Sequence, residues 1–499
     1  MKTIVAPGKS VQPLFRRFAW VVTVMLVSPL TSRAEPWIGP GDTALRHDLQ
    51  QLADAGVLHA PTMSWPLPWA DIGADIAAIE VSGLSPRLQS ALGRVQARAA
   101  MEAASQEIGV AVEAAGTSDP WALRSFDDAP REEGELTVAA DQAGDRLSWK
   151  LSAGVVADPD DGQELRLDGS YIAARLGNWN ISAGAIDRWW GPSWEGSLIL
   201  SNNARPVPSI ALDRNEARPF SWPILKWLGP WRLSTFMGQL EEDRDYPHAL
   251  LFGIRAEARP LPSLQIAASR TAQWCGEGRP CGLSTFGDLL TGDDNSEDLG
   301  QEPGNQLAGF DVRWSWPGGH VPMALYAQAI GEDEAGSLPS RYLGLFGAET
   351  WGQWRGTSWR MHLEYADTAC DFPTSPPAFG CAYTNHIYTS GYRYRGRAIG
   401  HTIDADGESV GLGVLWMTGP GRHWNLLARN VKLNRAGMAA GHSLAEGPAA
   451  VNDVSLAHGR PLAWGNIAIL LGYADVASTG TERPDDGFRA SLTWRYELR

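Results

Sequence analysis

The sequence predicts a mainly β protein: a transmembrane antiparallel β-barrel of about 18 strands preceded by a small α-helical bundle. Three observations carry that prediction. From about Gly134 to the end, apolar and polar residues alternate with period 2. The alternating runs are about 9 to 13 residues long, whereas strands of soluble sheets are usually about 5 to 6. Trp and Tyr recur near their ends, as an interfacial girdle requires: Trp149, Trp179, Trp231, Trp274, Trp316, Trp351, Trp416, Trp424, Trp494 and Tyr496.

Composition excludes several other classes. The 499 residues hold 57 Asp+Glu against 42 Lys+Arg, with 44% hydrophobic and 20% charged residues, 23 Trp and 4 Cys. That balance does not fit a disordered polyelectrolyte, and four cysteines cannot staple a chain of this size. A net charge of −15 with no long basic run excludes nucleic acid as a partner, because phosphate neutralisation needs a basic face.

Residues 1–34 read as a secretory signal peptide. Lys2, Lys9, Arg16 and Arg17 precede an apolar stretch, Phe18 to Leu30, and Ser32-Arg33-Ala34 offers a small-residue cleavage site. About 13 apolar residues are too few to cross roughly 30 Å of hydrocarbon as a helix. Removal after Ala34 takes away five basic residues and no acidic ones, so 42 − 5 = 37 basic stand against 57 acidic, a charge of −20. Residues 35–105 follow as a periplasmic helical bundle. Asp42-Thr43 caps a helix carrying Leu45, Leu49 and Leu52, stopped near Gly56; a second carries Ile72, Ile76 and Ile79; a third begins at Ser85-Pro86 and carries Leu88, Leu92 and Val95. Residues 106–133 read as a linker and 134–499 as the barrel.

The barrel segment Ser358 to Tyr365 shows the pattern plainly: Trp359, Met361, Leu363 and Tyr365 alternate with Ser358, Arg360, His362 and Glu364. Phe488 to Leu498 repeats it, and Leu165/Leu167/Tyr171/Ala173 reads as one face of another strand. About 16 to 18 such strands can be counted, separated by turns rich in Gly, Pro, Asn and Asp. Alternation alone leaves a sandwich, propeller or solenoid open, since those turn the apolar face inward and a membrane barrel turns it to lipid. Strand length, aromatic placement and the lack of a 40- to 50-residue repeat favour the barrel. In an exported chain, Cys275 with Cys281 and Cys370 with Cys381 read as two local disulfides, each pinning a Gly- and Pro-rich loop. Neither pair has the spacing of a metal site, and no cofactor is expected.

Two segments resemble a known family. Residues 37–58, from Trp37-Ile-Gly-Pro-Gly-Asp to Ala-Gly-Val-Leu58, with Trp65-Pro-Leu-Pro-Trp69, resemble the N-terminal helical region of Wzi-type capsule assembly proteins. The segment Asp187-Arg-Trp-Trp-Gly-Pro-Ser-Trp-Glu-Gly-Ser-Leu-Ile-Leu-Ser-Asn-Asn-Ala-Arg-Pro206 is the more specific match. The resemblance implies an 18-stranded outer-membrane barrel with a helical bundle on its periplasmic side, and a non-enzymatic, lectin-like role: binding and organising capsular or other exported polysaccharide at the cell surface. Outer-membrane lipid, that polysaccharide and the polysaccharide export machinery are the expected partners. The chain departs from many such barrels in ending on Arg499 and not on an aromatic residue.

The Trp-rich segment also has its own chemistry. Aromatic rings stack on the C–H face of a pyranose, while amides and guanidinium groups satisfy hydroxyls or carboxylates. Trp189, Trp190 and Trp194 supply rings, Asn202 and Asn203 amides, and Arg188, Arg205 and Arg214 guanidinium forks. The same residues read equally well as an inward-folded loop that rigidifies the barrel, given Gly191-Pro192 and the prolines after Arg205. A second candidate glycan contact is Tyr392-Arg-Tyr-Arg-Gly-Arg397, where Arg393, Arg395 and Arg397 would line one face of a strand; a basic strand paired with acidic lumen residues is the alternative. Asp158 to Glu164 and residues 292–298 are acidic loops without calcium-loop spacing. Asp187, Glu195, Asp213 and Glu216 keep a polysaccharide hydrolase or lyase open, because a glycosidase needs two carboxyl groups about 5 to 9.5 Å apart. A passive porin is the third reading. No catalytic residues are assigned.

Overall fold

The computed structural model describes residues 32–33, 35–77, 79–104, 108–291, 304–318, 321–335, 338–419, 421–439, 441–478 and 485–498. Apart from Ser32–Arg33, which pair with Gly144 and Ala143, the expected signal peptide lies outside them, as do residues 292–298 and Arg499.

Eighteen antiparallel strands close into one barrel. In chain order they are β1 (Gly109–Thr117), β2 (Gly134–Gly144), β3 (Leu147–Ala157), β4 (Tyr171–Leu176), β5 (Trp179–Ala185), β6 (Pro208–Arg214), β7 (Trp231–Gln239), β8 (Leu250–Leu261) and β9 (Leu264–Trp274). They continue with β10 (Gly304–Trp316), β11 (Met323–Ala335), β12 (Leu338–Trp354), β13 (Thr357–Asp367), β14 (Glu408–Gly419), β15 (Arg422–Leu433), β16 (Ala449–Leu462), β17 (Gly465–Ser478) and β18 (Gly487–Leu498). Each pairs with its neighbour in sequence, and β18 closes onto β1 from Ser491↔Thr117 to Leu498↔Val110. Closure leaves no edge strand, which lipid demands because it cannot hydrogen-bond a free backbone.

The side chains settle which way the sheet faces. Met361 and Leu363 of β13 are exposed, whereas Ser358, Arg360, His362 and Glu364 on the opposite face are buried. Leu151, Ile172, Ile210, Phe310, Leu412 and Leu471 are likewise exposed on other strands. Apolar outside and polar inside is the arrangement of a membrane barrel and the reverse of a soluble sandwich. Among the described residues, no helix is long and apolar enough to cross a membrane.

Three expectations need correction. The barrel begins at Gly109, inside the expected linker, because Gly109–Thr117 is its first strand. Leu165 and Tyr171 do not share a face: Leu165–Arg166 pairs with the upper end of β3, a turn follows, and β4 resumes with Tyr171 and Ala173 turned inward and buried. Trp351 is no girdle residue, since it faces the lumen under the Arg360 guanidinium.

The two ends of the barrel differ. At one end most strands join through turns of two residues (145–146, 177–178, 262–263, 355–356, 420–421 and 463–464), and at the other through long connections such as 186–207, 275–303 and 368–407. Cys275–Cys281 and Cys370–Cys381 are bonded, and both lie in loops of the second end.

The helices enter the short-turn end. α1 (Thr43–Asp54) is capped by Asp42, whose carboxylate accepts the Leu45 N–H at 2.8 Å. α2 (Trp69–Ala77) and α3 (Pro86–Ala104) pack on it through Leu49, Leu52, Ile72, Leu92 and Val95. α1 is nonetheless buried on all sides, with Arg46, His47, Asp48, Gln50 and Asp54 as enclosed as its leucines. It is a plug seated in the lumen, not one member of a free-standing bundle.

Candidate functional site

The polar side of α1 meets the lumen wall through a chain of charges. Arg313 of β10 grips Asp54 with two N–H groups (2.6 and 2.8 Å) and donates to Glu349 of β12 (Nε–Oε1 2.9 Å). Arg360 of β13 bonds Glu349 with one arm and His47 Nδ1 with its Nε (3.0 Å), and His47 reaches Ser358 at 2.9 Å. Arg259 of β8 donates to the Ala53 and Leu58 carbonyls, covering the C-terminal end of the helix. Every one of these groups is buried. A lone charge there would cost several kcal/mol, so the wall and the helix are held in one arrangement.

The Trp-rich segment descends from the opposite end onto this floor. The Trp194 indole N–H donates to Glu349 Oε2 (2.9 Å), and the backbone N–H groups of Trp194 and Glu195 donate to Glu364. Glu349 therefore ties together the helix, through Arg313 and Arg360, and the loop. His362 stacks on Trp194 (5.7 Å, 11°) and bonds Glu195 at 2.6 Å. The Arg46 guanidinium lies 4.2 Å from both the Phe126 and Trp194 ring centres and donates to the Pro192 carbonyl. Trp189 packs edge-on against Phe126, and Trp190 edge-on against Phe236. Residues Trp189–Trp190 also form a short antiparallel pair with Ser64–Trp65.

Of the ten candidate glycan contacts, eight are buried: Arg188, Trp189, Trp190, Trp194, Asn202, Asn203, Arg205 and Arg393. Arg188 donates to the Ile186 carbonyl and lies over Phe236. Asn202 donates to the Phe126 carbonyl and Asn203 to the Ala398 carbonyl. Arg205 forms a bidentate pair with Asp168 (2.7 and 2.9 Å). Arg393 does the same with Asp404 (2.8 and 2.9 Å); against the penalty of burial, its guanidinium holds that carboxyl well below the usual range. Only Arg395 and Arg397 keep partial exposure. Arg214 lies at the short-turn end, over Trp231.

The three arginines do not line a barrel strand. Arg393–Tyr394 and Arg397–Ala398 are the arms of a small hairpin within the 368–407 loop, turned by Arg395-Gly396 with positive φ at both. Arg397 consequently points to Asn203 (3.0 Å) and the Ala122 carbonyl, while Arg395 lies at the tip over Tyr394. Of the carboxylates that could suggest hydrolysis, Glu195 bonds His362, Asp213 accepts from Ser234, Glu216 pairs with Arg218, and the half-buried Asp187 has its carboxyl pushed up to about 6 by desolvation. Among the described residues, no three His, Cys, Asp or Glu side chains gather as a metal site.

Sequence reasoning missed the residues that organise the lumen: Asp54, Arg313, Glu349, Arg360 and Glu364. Their one visible signal was position, since Arg360 and Glu364 stand on the polar face of a clean alternation that a membrane barrel turns inward.

A family model described as capsule assembly protein Wzi matches residues 103–475. The chain is 34% identical, over 353 residues, to an uncharacterized 55.8 kDa protein in the cps region of Klebsiella pneumoniae, covering 70% of this chain and 68% of that one. It superposes with a TM-score of 0.81 and 27% identity on Escherichia coli Wzi, an outer-membrane, carbohydrate-binding β-barrel involved in group 1 capsule assembly. That match covers 93% of this chain and 99% of the other.

Proposed function

The chain belongs to the Wzi capsule assembly family and is an outer-membrane β-barrel, and from that premise we propose that it binds capsular or other exported polysaccharide and organises it at the cell surface without cleaving it. The observation that carries this reading is the plugged lumen: α1 from one end and residues 186–207 from the other meet on Glu349, leaving the wall there sealed. A barrel filled in this way serves as a rigid stand for its loops and not as a wide pore.

Bacterial barrels carry short periplasmic turns and long external loops, so the helices face the periplasm, where export machinery can meet them, and the long loops face out. On the loop side, the Trp-rich segment acts as scaffold, and glycan contact falls to the Arg395 and Arg397 hairpin. A hydrolase is disfavoured because Glu195 and Asp213 are held by different neighbours, His362 and Ser234.

The test is capture of the host's own purified capsule by detergent-solubilised protein. The wild type should retain capsule, Arg395→Ala/Arg397→Ala should retain less, and Trp189→Ala should lose barrel stability before any binding effect can be read. Large steady conductance in planar bilayers, with no capsule retained, would instead favour the porin.

A further inference from the structure

One stretch of the lumen is not sealed. On β15 to β18 the inward residues Ser455, Ala457, Gly459, Ala468, Ser491 and Thr493 are small or hydroxylated, and they stand among Asn425, Leu427 and Leu470. Opposite them lies the 118–133 connection, carrying Trp121, Arg124 and Asp127. Between the two is a recess that opens to solvent. Its lowest row, His423, Gly459, Ala468 and Thr493, is near the short-turn rim. Ala468 and Asn466 point inward yet are exposed, and the Asp128 side chain at the mouth is 76% exposed. The recess therefore opens at the helix end of the barrel, away from the long loops.

Its lining still has hydrogen bonds to give. Arg124 Nε and Arg429 Nη1, the latter 3.9 Å from Glu195, lie buried behind this lining without a hydrogen-bond partner. Asp127 accepts from the Asn425 amide at 3.2 Å and from the Asp128 backbone N–H, and Ser455, Ser491 and Thr493 add hydroxyls. Trp121, Leu427 and Leu470 supply apolar surface. Arg124 pairs with Asp128 (3.2 Å) and Arg429 with Asp453 (2.8 Å), so the lining has no excess positive charge with which to hold phosphate or sulfate. Apolar surface beside many neutral donors and acceptors matches a sugar ring, with its C–H face and its hydroxyls.

We propose that this recess is a second saccharide site, taking one neutral pyranose unit of a glycan that approaches from the helix end. The inference rests on the glycan-binding reading and adds a location to it: the protein would hold polysaccharide at both ends, with the sealed floor between them.

The probes are the host's own capsule polymer and short oligosaccharides released from it by mild acid, titrated calorimetrically into the intact protein in detergent. Wild type should bind both. Asn425→Ala, which removes one amide, should weaken oligosaccharide binding about tenfold, the loss of one well-placed hydrogen bond. Ala468→Trp, which fills the recess, should abolish it. Heat-modifiable migration on gels checks that each variant is a closed barrel, and Asn425→Ala keeps the test sound if the Trp variant fails to fold. Oligosaccharide affinity unchanged in folded Asn425→Ala and Ala468→Trp would overturn the recess while leaving polymer capture by the loops intact. Polymer binding without oligosaccharide binding would overturn it too. A wild type that binds neither probe would bring down the glycan reading itself, and the recess with it.

Discussion

The wall from β7 to β14 and the wall from β15 round to β2 belong to one continuous sheet but meet the lumen differently. On the first, inward residues are large, charged and enclosed: Arg255, Arg313, Tyr326, Glu349, Arg360 and Glu364 are each no more than 3% exposed. On the second, Arg429, Asp453 and Arg489 are buried towards the long loops, but towards the short turns the inward residues include the small Ala111, Ala115, Ala457 and Ala468, which stay partly open to solvent. The hydrogen-bond ladder is equally regular in both. What separates them is whether a plug consumes the lumen's polar groups, so the division between scaffold and accessible surface runs around the barrel as well as along it.

The largest effect should come from removing the shared carboxylate of the sealed wall. Glu349→Ala leaves the Arg313 and Arg360 guanidinium groups facing each other without their anion and strands the Trp194 indole N–H. Breaking a buried pair from one side typically costs about 3–5 kcal/mol. The expected result is a lower urea midpoint for loss of heat-modifiability, together with protease cleavage in residues 186–207. A midpoint equal to wild type would mean that loop and helix are held independently and that Glu349 is no node.

A milder contrast compares two inward alanines. Ala324 on β11 is fully buried against the plug, whereas Ala468 on β17 opens into the recess. Ala324→Phe overpacks a filled site and should cost about 1–3 kcal/mol. Ala468→Phe enters free space and should stay within about 0.5 kcal/mol of wild type. Equal destabilisation in urea would erase the distinction between the walls.

What could be read from the sequence depended on the contrast between the two faces of each strand. Strands of both walls were legible where bulky apolar residues outside alternate with polar ones inside, as in Trp359 to Tyr365 of the first and Phe488 to Leu498 of the second. β1 was not: in Gly109–Thr117 the inward residues Ala111, Ala115 and Thr117 are small like Ala114 on the outside, so alternation carries almost no contrast. The leucine face of α1 was legible from its spacing. The role of its polar face was not legible, because nothing near Asp54 in sequence announces Arg313, some 260 residues away and brought near only by barrel closure. The Trp-rich segment was legible as important but not as to its surroundings: ring chemistry is the same for a sugar platform and for packing, and the burial of Trp189 and Trp190 against Phe126 and Phe236 appears only in the folded chain.

The last effect concerns protons at the border between the two walls. Burial pushes the Asp127 carboxyl up to about 7, with the Asn425 amide working in the opposite direction. A carboxyl whose folded value lies above its ordinary value of 3.8 binds its proton more tightly in the folded state. Its contribution to stability is then full below that ordinary value, declines as pH rises through the window, and is gone above about 7. The local consequence is a 118–133 connection that opens more readily at pH 8 than at pH 5 on the scale of that window. Amide hydrogen exchange, corrected for its intrinsic pH dependence, should show the loss of protection in wild type and a flat profile in Asp127→Asn. A flat wild-type profile would show that water in the recess hydrates Asp127 as bulk solvent does, which would enlarge the open wall at the expense of the plug.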